Sequence, residues 1–164
     1  MVYTINARDL VISHGNDPRY WKWYTDVPSG FEVAELVEVC WFDIRASVPA
    51  RDLPRGSSYS TYLVFKLSAK PRGLEKATAS VRFSEEKAKG TDNEGYTVSI
   101  DKSQDSKDPG IHPQPRSDGW KELNLGDFVN NRGRSSTVEA RIFETSDTIW
   151  KSGIIIRGIE IRPN

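Results

Sequence analysis

The sequence predicts an all-β fold: one domain spanning residues 1–164, built as an antiparallel, jelly-roll-like β-sandwich with at most one or two short helices. Three observations predict it. Apolar residues recur at period two in run after run, the signature of half-buried strands. Clusters of Pro, Gly, Ser and Asn separate the runs. No segment carries a convincing helical stripe. A chain of 164 residues is long enough to bury a real core, and neither an internal repeat nor a linker divides it.

Taken in order, RDLVIS (8–13) is the first strand candidate. FEVAELVEV (31–39) has some helical spacing, but its valines suit a strand as well, so one short helix there stays open. VCWFDIRA (39–46) is an apolar strand in which Trp41 is expected in the core and Cys40 is expected to act as a small buried hydrophobe. YSTYLVFKL sets Tyr59, Leu63, Phe65 and Leu67 against Ser60 and Lys66. In ATASVRFS, Ala77, Ala79, Val81 and Phe83 alternate with Thr78, Ser80 and Arg82; in GYTVSIDK, Tyr96, Val98 and Ile100 alternate with Thr97, Ser99 and Asp101. WKELNL (120–125) follows, then STVEARIF, with Val138, Ala140 and Ile142 on one side. The closing GIIIRGIEIRPN puts Ile155, Ile159 and Ile161 in register and stops at Pro163; Lys151 and Arg157 read as solvated charges, and Trp150 leans towards packing. Between these runs, Asp101 to Gly119 is a long connection with three prolines, and connections of that length are functional or disordered.

Composition narrows the function. The 23 basic and 23 acidic side chains give zero net charge, which argues against a dedicated phosphate-backbone binder. One cysteine, Cys40, forms no intrachain disulfide, and two widely spaced histidines, His14 and His112, make a poor metal site. Gly-x-Ser-x-Gly, GxGxxG and GxxxxGK[ST] are all missing. The chain therefore reads as a non-enzyme with no cofactor and no metal. With no secretory leader pattern, no Asn-x-Ser/Thr acceptor and no apolar run approaching a membrane span, a reducing compartment is expected.

The most informative stretch is SHGNDPRYWKWYTD (13–26). Asn16-Asp17-Pro18 is turn chemistry, yet Tyr20, Trp21, Trp23 and Tyr24 crowd in beside it. In an extended chain Trp21 and Trp23 share one face while Tyr20, Lys22 and Tyr24 share the other, so one row packs inward and the other lies open. A pyranose stacks its C–H face on an aromatic ring while its hydroxyls bond to Asp, Asn or main-chain groups. On the residues alone, sugar binding and core packing of both tryptophans both stand.

A resemblance adds to this reading. ISHGNDPRYWKW, EVAELVEVCWFDIRA, YLVFKL, RSDGWKELNLGDF and WKSGIIIRGIEIRPN, in that order from Arg8 to Asn164, resemble the phloem lectin family, the phloem protein 2 and Nictaba-like lectins typified by tobacco agglutinin and including the small lectins of cucurbit phloem. The resemblance implies a jelly-roll-like sandwich, no catalysis, a cytoplasmic location in phloem sap, a noncovalent homodimer, and recognition of N-acetylglucosamine oligomers, both chitooligosaccharides and the chitobiose core of N-glycans. It implies an aromatic platform at Trp21. Trp23, Tyr20, His14, Asn16 and Asp17 are expected to shape the site; Asp118 and Trp120, in RSDGWKEL, are further candidates for hydroxyl bonding and a loop-end pocket. Two departures matter. The family often has tryptophan where this chain has His14, which alters the second platform. The tobacco-type lysine run, read as a nuclear import signal, is here DKSQDSKD (101–108), so nuclear entry by that route is not expected. The second reading of the aromatic block, with Arg19 and Lys22 interleaved, is an RNA- or protein-interaction module.

Overall fold

The computed structural model describes residues 2–87, 95–101 and 111–164; most of the 101–119 connection, and the DKSQDSKD stretch after Asp101, lie outside them. Twelve strands appear among the described residues: β1 Tyr3–Asn6, β2 Val11–Ile12, β3 Trp21–Thr25, β4 Glu32–Leu36, β5 Phe42–Pro49, β6 Ser58–Arg72, β7 Ala77–Phe83, β8 Tyr96–Val98, β9 Gln114–Pro115, β10 Lys121–Val129, β11 Thr137–Glu144 and β12 Ser152–Pro163. One four-residue helix, α1 (Ser84–Lys87), and two single turns of 3₁₀ helix complete the list. Within FEVAELVEV, Glu32–Leu36 is therefore a strand and no helix forms. No described helix is long and apolar enough to cross a membrane.

The strands form two antiparallel sheets. The seven-stranded sheet runs β3-β4-β12-β6-β10-β9, with β1 also paired to β12; the five-stranded sheet runs β2-β5-β11-β7-β8. The core between them takes the inward residues the alternation identifies, including Val138, Ala140, Ile142, Leu63, Phe65, Ala79 and Phe83. The expectation fails at Ile155. A bulge between Ile156 and Gly158 inserts one residue into β12, and an inserted residue reverses which face the chain presents. Ile154, Ile156, Ile159 and Ile161 thus point inward, and Ile155 joins a separate cluster with Val33, Val64 and Trp120 on the outer face of the large sheet.

Two ends of the sandwich differ. At one, the connections β5–β6 and β10–β11 cross from sheet to sheet, and both chain ends pair nearby: Tyr3 stands opposite Ile161, and Asn164 bonds Ser58. At the other lie the start of β5, the end of β11, and the 13–20 loop, which leaves β2 with the Ser13 amide donating to the Asp43 carbonyl at 3.0 Å.

Candidate functional site

The 13–20 loop is a series of tight turns. The amides of Gly15, Asp17 and Tyr20 donate to the carbonyls of Ile12, His14 and Asp17, and the Trp21 amide also reaches Asp17. His14 sits at φ 61°, the only described non-glycine residue with positive φ. L-residues other than glycine avoid that region at a cost of about 1–2 kcal/mol. A His14→Gly variant is expected to be about 0.5–1 kcal/mol more stable in urea unfolding; an unchanged or lower stability would mean the turn carries no such strain.

Trp21 is not the open platform expected of it. It is 2 % exposed. The residue stands opposite Leu36 in the β3–β4 ladder, and its ring stacks on Phe42 with centroids 6.4 Å apart. Period two explains this: the Trp21–Trp23 row is the inward one, and Lys22 and Tyr24 face out. Trp23, nearer the sheet margin, is only half-buried. Its indole N–H donates to the Gly15 carbonyl at 2.7 Å, and the Arg8 guanidinium lies 4.0 Å over its ring, with Arg8 also paired to Glu32. Exposed His14 leans on half-buried Tyr20 with ring centroids at 5.2 Å. Asp17 forks onto Arg19, whose side-chain and main-chain hydrogen bonds hold the carboxyl at about 2.

Beside this loop lies a shallow groove of about 500 Å³, lined by Asn16, Pro18, Trp21, Lys22, Trp23 and Val37. It wraps β3, the terminal strand of the large sheet. Sequence reasoning missed Val37, whose exposure follows from its position just past β4. The Asn16 carboxamide and the Tyr20 hydroxyl have no hydrogen-bond partner among the described residues, so their capacity is open to a ligand.

Trp120 and Asp118 do not join this groove. Trp120 is 2 % exposed, on the outer face of the large sheet rather than at a sandwich end. Lys66 Nζ lies 4.3 Å from its ring centroid and the Arg157 guanidinium 5.6 Å away. A second depression, of about 410 Å³, is lined by Pro28, Ser29, Phe31, Lys66, Asp118, Trp120 and Arg157. Its polar groups are already engaged. Asp118 accepts from Arg116, from Arg157 at 3.0 Å and from the Trp120 amide at 3.1 Å, and those hydrogen bonds, Arg116 foremost, hold its carboxyl well below the usual range. Arg116 continues to Glu122 and Glu160. Asp118 thus has a structural role in this ion cluster, with few lone pairs left over, while its side chain stays 38 % exposed in the depression it shares with Trp120.

Other expectations also need correction. Trp41 is 50 % and Trp150 52 % exposed; each lies just ahead of its strand, beside the isolated Val39–Lys151 bridge, so neither is carried into the core. Lys151 is fully buried instead, donating to the carbonyls of Cys40 and Ser146, and burial pushes its ammonium pKa down. Arg157 is held over the Phe31 ring at 3.8 Å. Cys40 is half-buried, with its Sγ 3.6 Å from the Asp147 carbonyl. Among the described residues, no group of three or more His, Cys, Asp or Glu could hold a metal ion.

With the fold and groove in view, comparison with known proteins is decisive for the family. The family model described as phloem protein 2 matches residues 1–163. The chain belongs to the phloem protein 2 family. Relatives in Arabidopsis thaliana include F-box protein PP2-B10, 35% identical over 97% of this chain and 59% of its own length, and F-box protein PP2-B1, 33% identical over 98% of this chain and 62% of its own length. The phloem protein 2 chain thus spans only part of the curated relatives it matches. Among solved structures it is similar to the CBM22-1 xylan-binding domain of Paenibacillus barcinonensis Xyn10C, at 12% identity and TM-score 0.42 over 99% of this chain and 92% of that one. It is also similar to Caldicellulosiruptor saccharolyticus CBM27-1 in complex with mannohexaose, at 10% identity and TM-score 0.43 over 100% and 98%. At that distance the likeness bears on neither ligand nor site.

Proposed function

We propose that this phloem protein 2 domain is a non-catalytic carbohydrate-binding module for N-acetylglucosamine oligomers, with its site in the groove along β3. One observation carries the reading: half-exposed aromatic rings stand beside polar groups that no described residue satisfies. Trp23, Tyr20 and His14 supply apolar area for the sugar's C–H face. Asn16 and Lys22 supply hydrogen bonds, and Val37 offers an apolar contact for an acetyl methyl. Trp21 forms the buried base. A site that bonds the acetamido group rejects glucose chains, because its polar groups would lose their partners.

Longer oligomers cover more of an open groove, and a noncovalent homodimer, implied by the resemblance to phloem lectins, adds avidity on multivalent glycans. The same resemblance supports a cytoplasmic location in phloem sap. Calorimetry with triacetylchitotriose is expected to give saturable heat, and cellotriose none. Asn16→Ala, at an exposed residue, is expected to weaken binding about fivefold to tenfold without moving the melting temperature. No heat at millimolar chitotriose would overturn the proposed ligand; full affinity in the Asn16 variant would overturn the proposed site.

A further inference from the structure

The opposite end of the sandwich carries a pocket of a different character. Its lining is Ala50, Arg51, Leu53, Arg55, Asn130, Arg132 and Arg134, enclosing about 290 Å³. Ala50, Leu53 and Asn130 are buried and form the base; the four arginines are exposed and form the rim. Among the described residues, no acidic side chain lines it. Zero net charge over the whole chain does not prevent this, because the field at a cleft depends on where charges gather.

The pocket is built by the two sheet-to-sheet connections, and Asn130 fastens them together. Its side-chain N–H₂ donates to the carbonyls of Ala50 at 3.1 Å, Leu53 at 3.0 Å and Pro54 at 3.2 Å. Its main chain bonds Ser57 and Gly56, and the Ala50 amide reaches Ser136. The bases of the arginine loops are therefore fixed even though the four arginines are exposed. Asp52 accepts from Tyr3, while Glu85 forms an ion pair with Arg132 at 3.8 Å and also accepts from Ser136, so Arg132 is already partly neutralised.

A second observation concerns the base. The Asn130 carboxamide oxygen is buried and has no hydrogen-bond partner. A buried acceptor left unfilled costs stability, and such groups normally find a donor in protein, water or ligand. The pocket thus combines a rim of planar donors, whose forked geometry suits phosphate and sulfate oxygens, with a base that the Asn130 hydrogen bonds hold rigid.

We propose that this pocket binds a polyol bearing two or more phosphate or sulfate esters, the arginines of the rim holding the oxyanions above the buried Asn130 base. The site is separate from the β3 groove and independent of the sugar proposed there. The probe is free inositol 1,4,5-trisphosphate, titrated by calorimetry at low ionic strength, with inorganic sulfate and phosphatidylcholine vesicles containing phosphatidylinositol 4,5-bisphosphate as further arms. Trisphosphate is expected to bind more tightly than sulfate and to weaken as salt rises. An Arg51→Ala/Arg134→Ala variant is expected to lose about tenfold or more in affinity with an unmoved melting temperature. A Lys70→Ala/Lys76→Ala variant, matched in charge, is expected to bind as the parent does. Binding to both free trisphosphate and vesicles supports the site with a lipid as source; binding to free trisphosphate alone supports it with a soluble source. The inference is overturned if free trisphosphate does not bind, if only vesicles do, or if the two double variants lose affinity equally.

Discussion

Trp21→Ala is expected to lose about 3–5 kcal/mol of folding stability, the usual cost of emptying a large aromatic site in a packed core. The ring is buried between Leu36 and Phe42, and its removal leaves a cavity at the point where the 13–20 loop enters β3. Any loss of sugar affinity in this variant should therefore come with a lowered urea midpoint. Trp21→Phe separates the two effects. Phenylalanine keeps the contact with Phe42 and removes an indole N–H that has no partner, so this variant is expected to stay folded and retain most of its affinity. A Trp21→Ala protein as stable as its parent would contradict the burial on which this rests.

Asp43→Ala is expected to cost about 3 kcal/mol, because it strands charge. Arg45 and Arg141 stand directly opposite one another in the β5–β11 ladder, and like charges so placed repel. The buried Asp43 carboxylate lies between them, accepting from Arg141 at 2.8 Å and Arg45 at 3.2 Å. Burial alone would raise its pKa, but the hydrogen bonds from Arg141 and then Arg45 outweigh it and hold the group below its ordinary 3.8. The carboxyl thus titrates lower in the folded than in the unfolded chain. Its contribution is whole above pH 3.8 and is lost as pH falls through the depressed folded value. Urea unfolding at stepped pH should show a shallower acid decline in Asp43→Ala than in the parent, and Asp43→Ala/Arg141→Met should recover part of the loss. Equal acid slopes would refute the assignment. The Asp43 carbonyl also anchors Ser13, so this ion cluster supports the entry to the aromatic loop.

Much of the fold was legible because strand alternation is a local property. The Val138, Ala140, Ile142 row and the Leu63, Phe65 row needed only their own residues to be recognised. Ile155 was misread because a bulge is settled by the partner strand, β6, and leaves no mark on the period of β12 itself. The aromatic block was half legible: alternation put Trp21 and Trp23 on one face, but which face meets the other sheet depends on pairing with β4. That Trp21 is sealed and Trp23 is not depends on where the second sheet ends. Trp41, Trp150 and Lys151 were misread for a related reason. They flank an isolated bridge, where contacts rather than period decide exposure. The arginine pocket was invisible, since Arg51 and Arg134 are 83 positions apart and meet only because two crossovers share one end.

The pairing of Tyr3 with Ile161 and the tie of Asn164 to Ser58 have a consequence for how such a module can be joined to other polypeptide. Anything appended before the first strand or after the last emerges on the side remote from the β3 groove. The proposed binding face is then presented outward, like the open end of a plug whose cable leaves from behind, and fusion partners of many shapes can be carried without obstructing it.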